Sequence, residues 1–171
     1  MIRTRTRGSA LAAAALAVTT LAGSAGTASA VSVEPQPSFH LENAYGGKCV
    51  AVQGSDNGAV PFGWDCLGYA DQFWVLDDSQ APTPGVFQLK NVNSGKCLVV
   101  QGNENGRIPV QYDCLGYADQ FWQKVLTDDP DVFKLKNYNS GKCLAMQGTD
   151  VGRQPFQYDC EDYADQTWYL R

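Results

Sequence analysis

Histidine is almost missing from this chain of 171 residues, in which His40 stands alone. Without a partnered nucleophile for it, a Ser-His-Asp or Cys-His catalytic arrangement has no foundation, and His40 reads as a strand residue. No Cys-x-x-Cys pair occurs, so the close ligand spacing of a structural zinc site is absent too. Beyond residue 30 there is no apolar run long enough to span a bilayer. Nor does any later stretch sustain a 3.6-residue apolar period, which excludes a helical bundle. Basic residues are outnumbered, 13 Lys and Arg against 18 Asp and Glu, for a formal net charge of −5. Nucleic acids and anionic membrane surfaces call for clustered Lys and Arg, so neither is an expected partner.

The first thirty residues carry the pattern of an export signal. Arg3, Arg5 and Arg7 form a basic n-region, Leu11 to Leu21 an Ala/Leu/Val-rich core, and Ala28-Ser29-Ala30 a small-residue cleavage site. Cleavage after Ala30 would leave residues 31–171, and losing the three arginines takes the formal charge from −5 to −8. A secreted protein with no membrane span is expected, and no cofactor is implied.

What is present is repetition. Cys66–Trp74 reads Cys-Leu-Gly-Tyr-Ala-Asp-Gln-Phe-Trp, returns at Cys114–Trp122, and appears a third time, altered, at Cys160–Trp168. After a lead-in at 31–38, the repeats run over 39–76, 87–126 and 133–170, joined by Asp/Pro/Gly-rich connectors at 77–85 and 127–131. In the second repeat, Phe87-Gln-Leu-Lys alternates apolar and polar residues, Cys97–Val100 is a short apolar run, Val110–Cys114 a third strand, and Phe121-Trp122 begins a fourth. That makes twelve short strands. Propellers typically close with four to eight blades, and an open twelve-stranded sheet would leave bare edges. Three four-stranded units closing a barrel and its cap make an all-β fold, the β-trefoil, over 39–171. Its expected core aromatics are Phe39, Phe87 and Phe133 with Trp74, Trp122 and Trp168.

The six cysteines fall two per repeat with equal spacing. Six cysteines allow 15 pairings, but only Cys49–Cys66, Cys97–Cys114 and Cys143–Cys160 give every unit the same closure. In an exported chain these are expected as disulfides, each contributing about 3 kcal/mol in the chain-entropy model.

Gln72-Phe73-Trp74, Gln120-Phe121-Trp122 and Gln166-Thr167-Trp168, with Asn-Ser-Gly-Lys-Cys-Leu at 93–98 and 139–144, resemble the triple Gln-x-Trp pattern of the ricin-type β-trefoil lectins. The resemblance spans residues 39–171 and implies carbohydrate as the partner. It places a sugar-stacking aromatic two residues before each second cysteine, at Trp64, Tyr112 and Tyr158. It aligns the family's hydroxyl-binding Asn with Asp71, Asp119 and Asp165. Where the family usually has a carboxylate, two residues after the first cysteine, this chain has Ala51, Val99 and Ala145. Asp71, Asp119 and Asp165 are the substitute carboxylates, with Gln53, Gln101 and Gln147 as neighbouring donors.

Simpler readings stand beside these. Gln72, Gln120 and Gln166 suit backbone bonding in a turn. Tyr69, Tyr117 and Tyr163 suit either packing or ligand contact. Asp65, Asp113 and Asp159 read as strand-end residues, because an Asp65–Asp71 hydrolytic pair would recur in every repeat whereas catalytic carboxylates form one asymmetric site. Asp56-Asn57-Gly58 and Asn103–Gly106 lack EF-hand spacing and read as turns, so no metal is assigned. A non-enzymatic sugar-binding module is the expectation. The alternative is a trefoil that binds a protein through its loops, as a protease inhibitor does.

Overall fold

The computed structural model describes residues 36–171; the expected export signal, its cleavage point and most of the lead-in lie outside the described residues. Repeat one supplies β1 (Ser38–Asn43), β2 (Cys49–Ala51), β3 (Phe62–Trp64) and β4 (Phe73–Asp77). Repeat two supplies β5 (Val86–Asn91), β6 (Cys97–Val99), β7 (Val110–Tyr112) and β8 (Phe121–Leu126). Repeat three supplies β9 (Phe133–Asn137), β10 (Cys143–Ala145), β11 (Phe156–Tyr158) and β12 (Thr167–Leu170). The boundaries differ slightly from expectation, since Ser38 begins β1 and Asp77 and Val86 belong to strands. A three-residue 3₁₀ turn, Ala-Asp-Gln, precedes the last strand of each repeat.

Antiparallel pairing runs β1–β4–β5–β8–β9–β12 and returns to β1, closing a six-stranded barrel. The hairpins β2–β3, β6–β7 and β10–β11 form the cap. This is a β-trefoil, and closing the barrel removes the sheet edges that an open array would expose.

Each repeat sends four side chains inward: Leu41, Val50, Val52 and Trp74; Leu89, Leu98, Val100 and Trp122; Leu135, Leu144, Met146 and Trp168. All twelve are fully buried. Phe87 and Phe133 join this core, but Phe39 is only half-buried, against expectation. β8 runs alongside β9 as far as Leu126 opposite Phe133, whereas the cover on β1 reaches only His40, bonded to Arg171, leaving Phe39 uncovered on that side. Each tryptophan also satisfies its indole N–H, which donates to the carbonyl of Val50, Leu98 or Leu144 at 2.8–3.0 Å.

The Asn-x-x-x-Gly-Lys-Cys run is a turn with a fixed chemistry. Buried Asn91 accepts the N–H groups of Asn93 and Ser94 on its Oδ1, while the Gly95 N–H donates to its carbonyl. Gly95 sits at φ +68°, where a Cβ is unfavourable, and Gly47 and Gly141 do the same in the other copies. The three disulfides form as expected, with Cα–Cα separations of 5.1, 5.2 and 5.0 Å.

Threefold symmetry breaks where repeat three meets repeat one. At the other two joints a buried glutamine ties the units together. Gln111 donates to the carbonyls of Gly54 and Asp56 and accepts from Ser94 Oγ; Gln157 donates to Gly102 and Glu104 and accepts from Ser140 Oγ. At the third joint Gly63 replaces the glutamine and Gly46 the serine. The vacated volume goes to Met146, which stands where the other repeats have valine and places its Sδ 2.8 Å from an ideal Cβ on Gly63.

Candidate functional site

The Gln-x-Trp segment is a device for presenting the residue before it. Gln72 accepts the Leu67 N–H at 2.6 Å and donates to the Asp65 carbonyl at 2.8 Å, which shapes the loop ahead of the 3₁₀ turn. Gln120 and Gln166 repeat both bonds. All three are buried, so the structural reading of these glutamines holds. The backbone of the preceding aspartate is fixed from two sides. The Asp71 carbonyl accepts from the Val52 N–H at 3.1 Å and from Asn91 Nδ2 at 2.9 Å. Asp119 is held by Val100 and Asn137, and Asp165 by Met146 and Asn43.

The side chains so presented are unusual. One oxygen, Oδ1, of each of Asp71, Asp119 and Asp165 is buried and has no hydrogen-bond partner. Buried polar groups are nearly always paired, and an unsatisfied one costs about 1–3 kcal/mol. Burial raises the pKa of Asp119 above its ordinary value of 3.8, only partly opposed by the residue's own backbone N–H. The same unpaired oxygen recurs in three places, on aspartates that are themselves only half-buried.

Recesses adjoin these carboxylates. Asp119 borders one of about 200 Å³ with Val99, Gln101, Tyr112, Leu115, Tyr117 and Gln120. Asp165 borders its counterpart of about 180 Å³ with Ala145, Gln147, Phe156, Tyr158, Tyr163 and Gln166. Val99 and Ala145, where the resembled family usually has a carboxylate, thus face the same spaces as the aspartates. Asp71 borders a recess of about 440 Å³ with Gln53, Gly54, Tyr69, Ala70 and Asn93, and Trp64 is not among its walls. Trp64, Tyr112 and Tyr158 end β3, β7 and β11 and are 41, 38 and 40% exposed. Tyr69, Tyr117 and Tyr163 are still more exposed and line the recesses instead of packing beneath the turn.

Asp65, Asp113 and Asp159 have another task. Each pairs with the lysine of its own Gly-Lys-Cys turn, Lys48, Lys96 or Lys142. Asp113 and Asp159 are also grasped from the preceding repeat, by Asn57 Nδ2 at 2.8 Å and Asn105 Nδ2 at 2.7 Å. The Asn57 bond, then Lys96, holds Asp113 below the ordinary carboxylate range, and Lys142, then Asn105, does so for Asp159. The turns at 56–58 and 103–106 therefore clasp neighbouring repeats, a role that nothing local in the sequence signals. The third repeat has Val151 at the corresponding position.

The His40 Nε2 lies 2.9 Å from the Leu67 carbonyl oxygen, and its ring stacks on Phe73. It clusters with Cys49 and Cys66, whose sulfurs are tied in a disulfide. Among the described residues no helix is long and apolar enough to cross a membrane.

Comparison with known proteins agrees with this geometry. The designed threefold-symmetric protein ThreeFoil is 28% identical, with a TM-score of 0.73 over 78% of this chain and 96% of its own. An exo-β-1,3-galactanase from Clostridium thermocellum is 27% identical with a TM-score of 0.73; the match covers 80% of this chain but 31% of the galactanase. The ricin B-like lectin of Macrolepiota procera, solved with lactose, shares the fold at 17% identity and a TM-score of 0.65, over 81% of this chain and 96% of its own. No curated protein sequence matches the chain. The model of the ricin-type beta-trefoil lectin domain matches residues 37–168, and the chain belongs to that family.

Proposed function

We propose that this protein is a secreted, non-enzymatic carbohydrate-binding module with up to three shallow sites. Family membership supports carbohydrate binding in general. The observation that carries the reading is a half-buried, incompletely paired carboxylate in every repeat, lining a recess with an exposed tyrosine. A pyranose offers an apolar face for an aromatic ring and hydroxyl donors for a carboxylate. Asp71, Asp119 and Asp165 take over the acceptor role absent from Ala51, Val99 and Ala145, with Trp64, Tyr112 and Tyr158 as stacking residues. The carboxylate has moved from the second strand of the repeat to the 3₁₀ turn. In the second and third repeats both positions border one recess. Three disulfides and the signal-like sequence at 1–30 support export.

Single shallow sites bind weakly, and avidity on a polymer multiplies them. Galactose is a rational first probe because the galactanase is among the similar structures; xylose provides a contrast. Titrating both sugars and their polymers should show weak binding to the monomers and stronger binding to a polymer. Trp64→Ala, Tyr112→Ala or Tyr158→Ala alone should weaken polymer binding in part, and the triple change should abolish it while the melting curve survives. Full binding by the triple variant would remove these aromatics from the site. Failure of the wild type to bind any glycan would favour the loop-mediated protein partner instead, for which the missing carboxylates at Ala51, Val99 and Ala145 are the supporting observation.

A further inference from the structure

The third site differs from its sisters in having a second aromatic wall supplied by another repeat. On one side of Asp165 lies the small recess faced by Tyr158. On the other lies a larger one of about 500 Å³, lined by Tyr45, Gln147, Gly148, Tyr163, Ala164 and Asp165. Gln147, Tyr163 and Asp165 line both, so Asp165 is shared by two adjoining recesses. The larger recess lies within the volume range of about 300–1,000 Å³ common to small-molecule sites, whereas the smaller one does not.

Tyr45 comes from the β1–β2 turn of repeat one and reaches this site because β1 pairs with β12. Its backbone is held by the Asn43 side chain, and its own side chain is 56% exposed. The other repeats have asparagine in its place. Asn93 lines the outer recess of the first site. At the second site Asn139 Nδ2 donates to Asn103 Oδ1 at 3.0 Å, bridging the two turns that flank the corresponding space. Of the three sites, only the third therefore has an aromatic residue from another repeat lining a recess with its aspartate.

We infer that the third site is a two-subsite groove for an oligosaccharide, with one sugar ring against Tyr158, the next against Tyr45, and Asp165 accepting hydroxyls between them. The inference rests on the carbohydrate-binding reading and adds chain length as a specificity determinant at this one site. Tyr45 would be a binding residue that the triple Gln-x-Trp pattern does not include.

The test uses the full chain with Trp64→Ala and Tyr112→Ala, so that only the third site is read. Galactose, xylose and their β-linked di- and trisaccharides are titrated by calorimetry with and without Tyr45→Asn, the residue its sister repeats carry and therefore one the turn accommodates. An aromatic contact of ordinary strength predicts that the disaccharide binds about 5- to 10-fold more tightly than its monosaccharide. Tyr45→Asn should erase that gain, so that the disaccharide no longer binds more tightly than its monosaccharide. Equal affinity for mono- and disaccharide, or a disaccharide gain that survives Tyr45→Asn, overturns the groove while leaving sugar binding intact. Absence of binding to every probe in the unsubstituted chain refutes the carbohydrate reading itself and the groove with it.

Discussion

An ionised carboxylate oxygen with no donor costs folding free energy wherever water is kept from it. Asp119 is the clearest case, because burial also lifts its pKa. A raised folded-state pKa means that the native chain holds this proton more tightly than the unfolded chain does. The ionised side chain therefore burdens the fold above the folded pKa, and the burden eases as pH falls through the folded pKa toward the unfolded value. Asp119→Asn removes the charge at nearly constant volume. Its expected effect at neutral pH is a gain of about 1 kcal/mol or less, read from urea melts, together with weaker sugar binding at the second site, since the amide is a neutral acceptor. Site-resolved NMR titration should show the Asp119 carboxyl titrating above 3.8, so acid should abolish binding there earlier than an ordinary carboxylate would dictate. A variant clearly less stable than wild type, or an Asp119 that titrates low, would show that the oxygen has a partner and that no ligand is needed to satisfy it.

At the scale of elements, the hairpins and their joints show where repetition stops being a guide. Gly63 has room for no Cβ because Met146 fills the space that Gln111 and Gln157 occupy at the other joints. Gly63→Ala should therefore cost about 1–3 kcal/mol by overpacking, and Met146→Val about 1 kcal/mol by leaving a void. Combined, each relieves the other, and a double-mutant cycle in urea should give a coupling of at least about 0.5 kcal/mol. Strict additivity would mean that the two do not share the space. Gly46→Ala is the contrasting case: a backbone oxygen, that of Gly148, lies 2.6 Å from its Cβ position, so no side-chain substitution relieves it. The strands, the intra-repeat disulfides and the buried tryptophans were legible because each depends on residues close in sequence and recurs three times. The exchange of Gln, Ser and Val for Gly63, Gly46 and Met146 was not, since its members come from different repeats and meet only when the barrel closes. The Asn57–Asp113 clasp spans 56 residues and is hidden in the sequence for the same reason. Phe39 misled because equivalence in sequence did not bring equivalent cover from the neighbouring strand.

For the whole molecule, closing the barrel has a consequence that no single repeat possesses. Six strands form one ring, two from each repeat, so the three aspartate-bearing turns are distributed around a pseudo-threefold axis. Sites arranged in this way face different directions, and a short glycan cannot occupy all of them at once. A polymer carrying many copies of the sugar can engage several, either along one chain or between chains. Three sites suffice to make a network, two to link chains pairwise, and one to bind without linking. The wild type should therefore cross-link a galactose- or xylose-bearing polymer that its sites recognise, seen as turbidity that rises and then falls with increasing protein. Removing one stacking aromatic should shift and weaken that maximum. With two removed, binding should persist without turbidity, and free monosaccharide should reverse both. Turbidity undiminished in a chain with a single remaining aromatic would mean that linking arises from association between copies of the protein. Binding without turbidity at any ratio in the wild type would mean that fewer than two sites are functional, so that the symmetry of the fold outlasts the symmetry of its use.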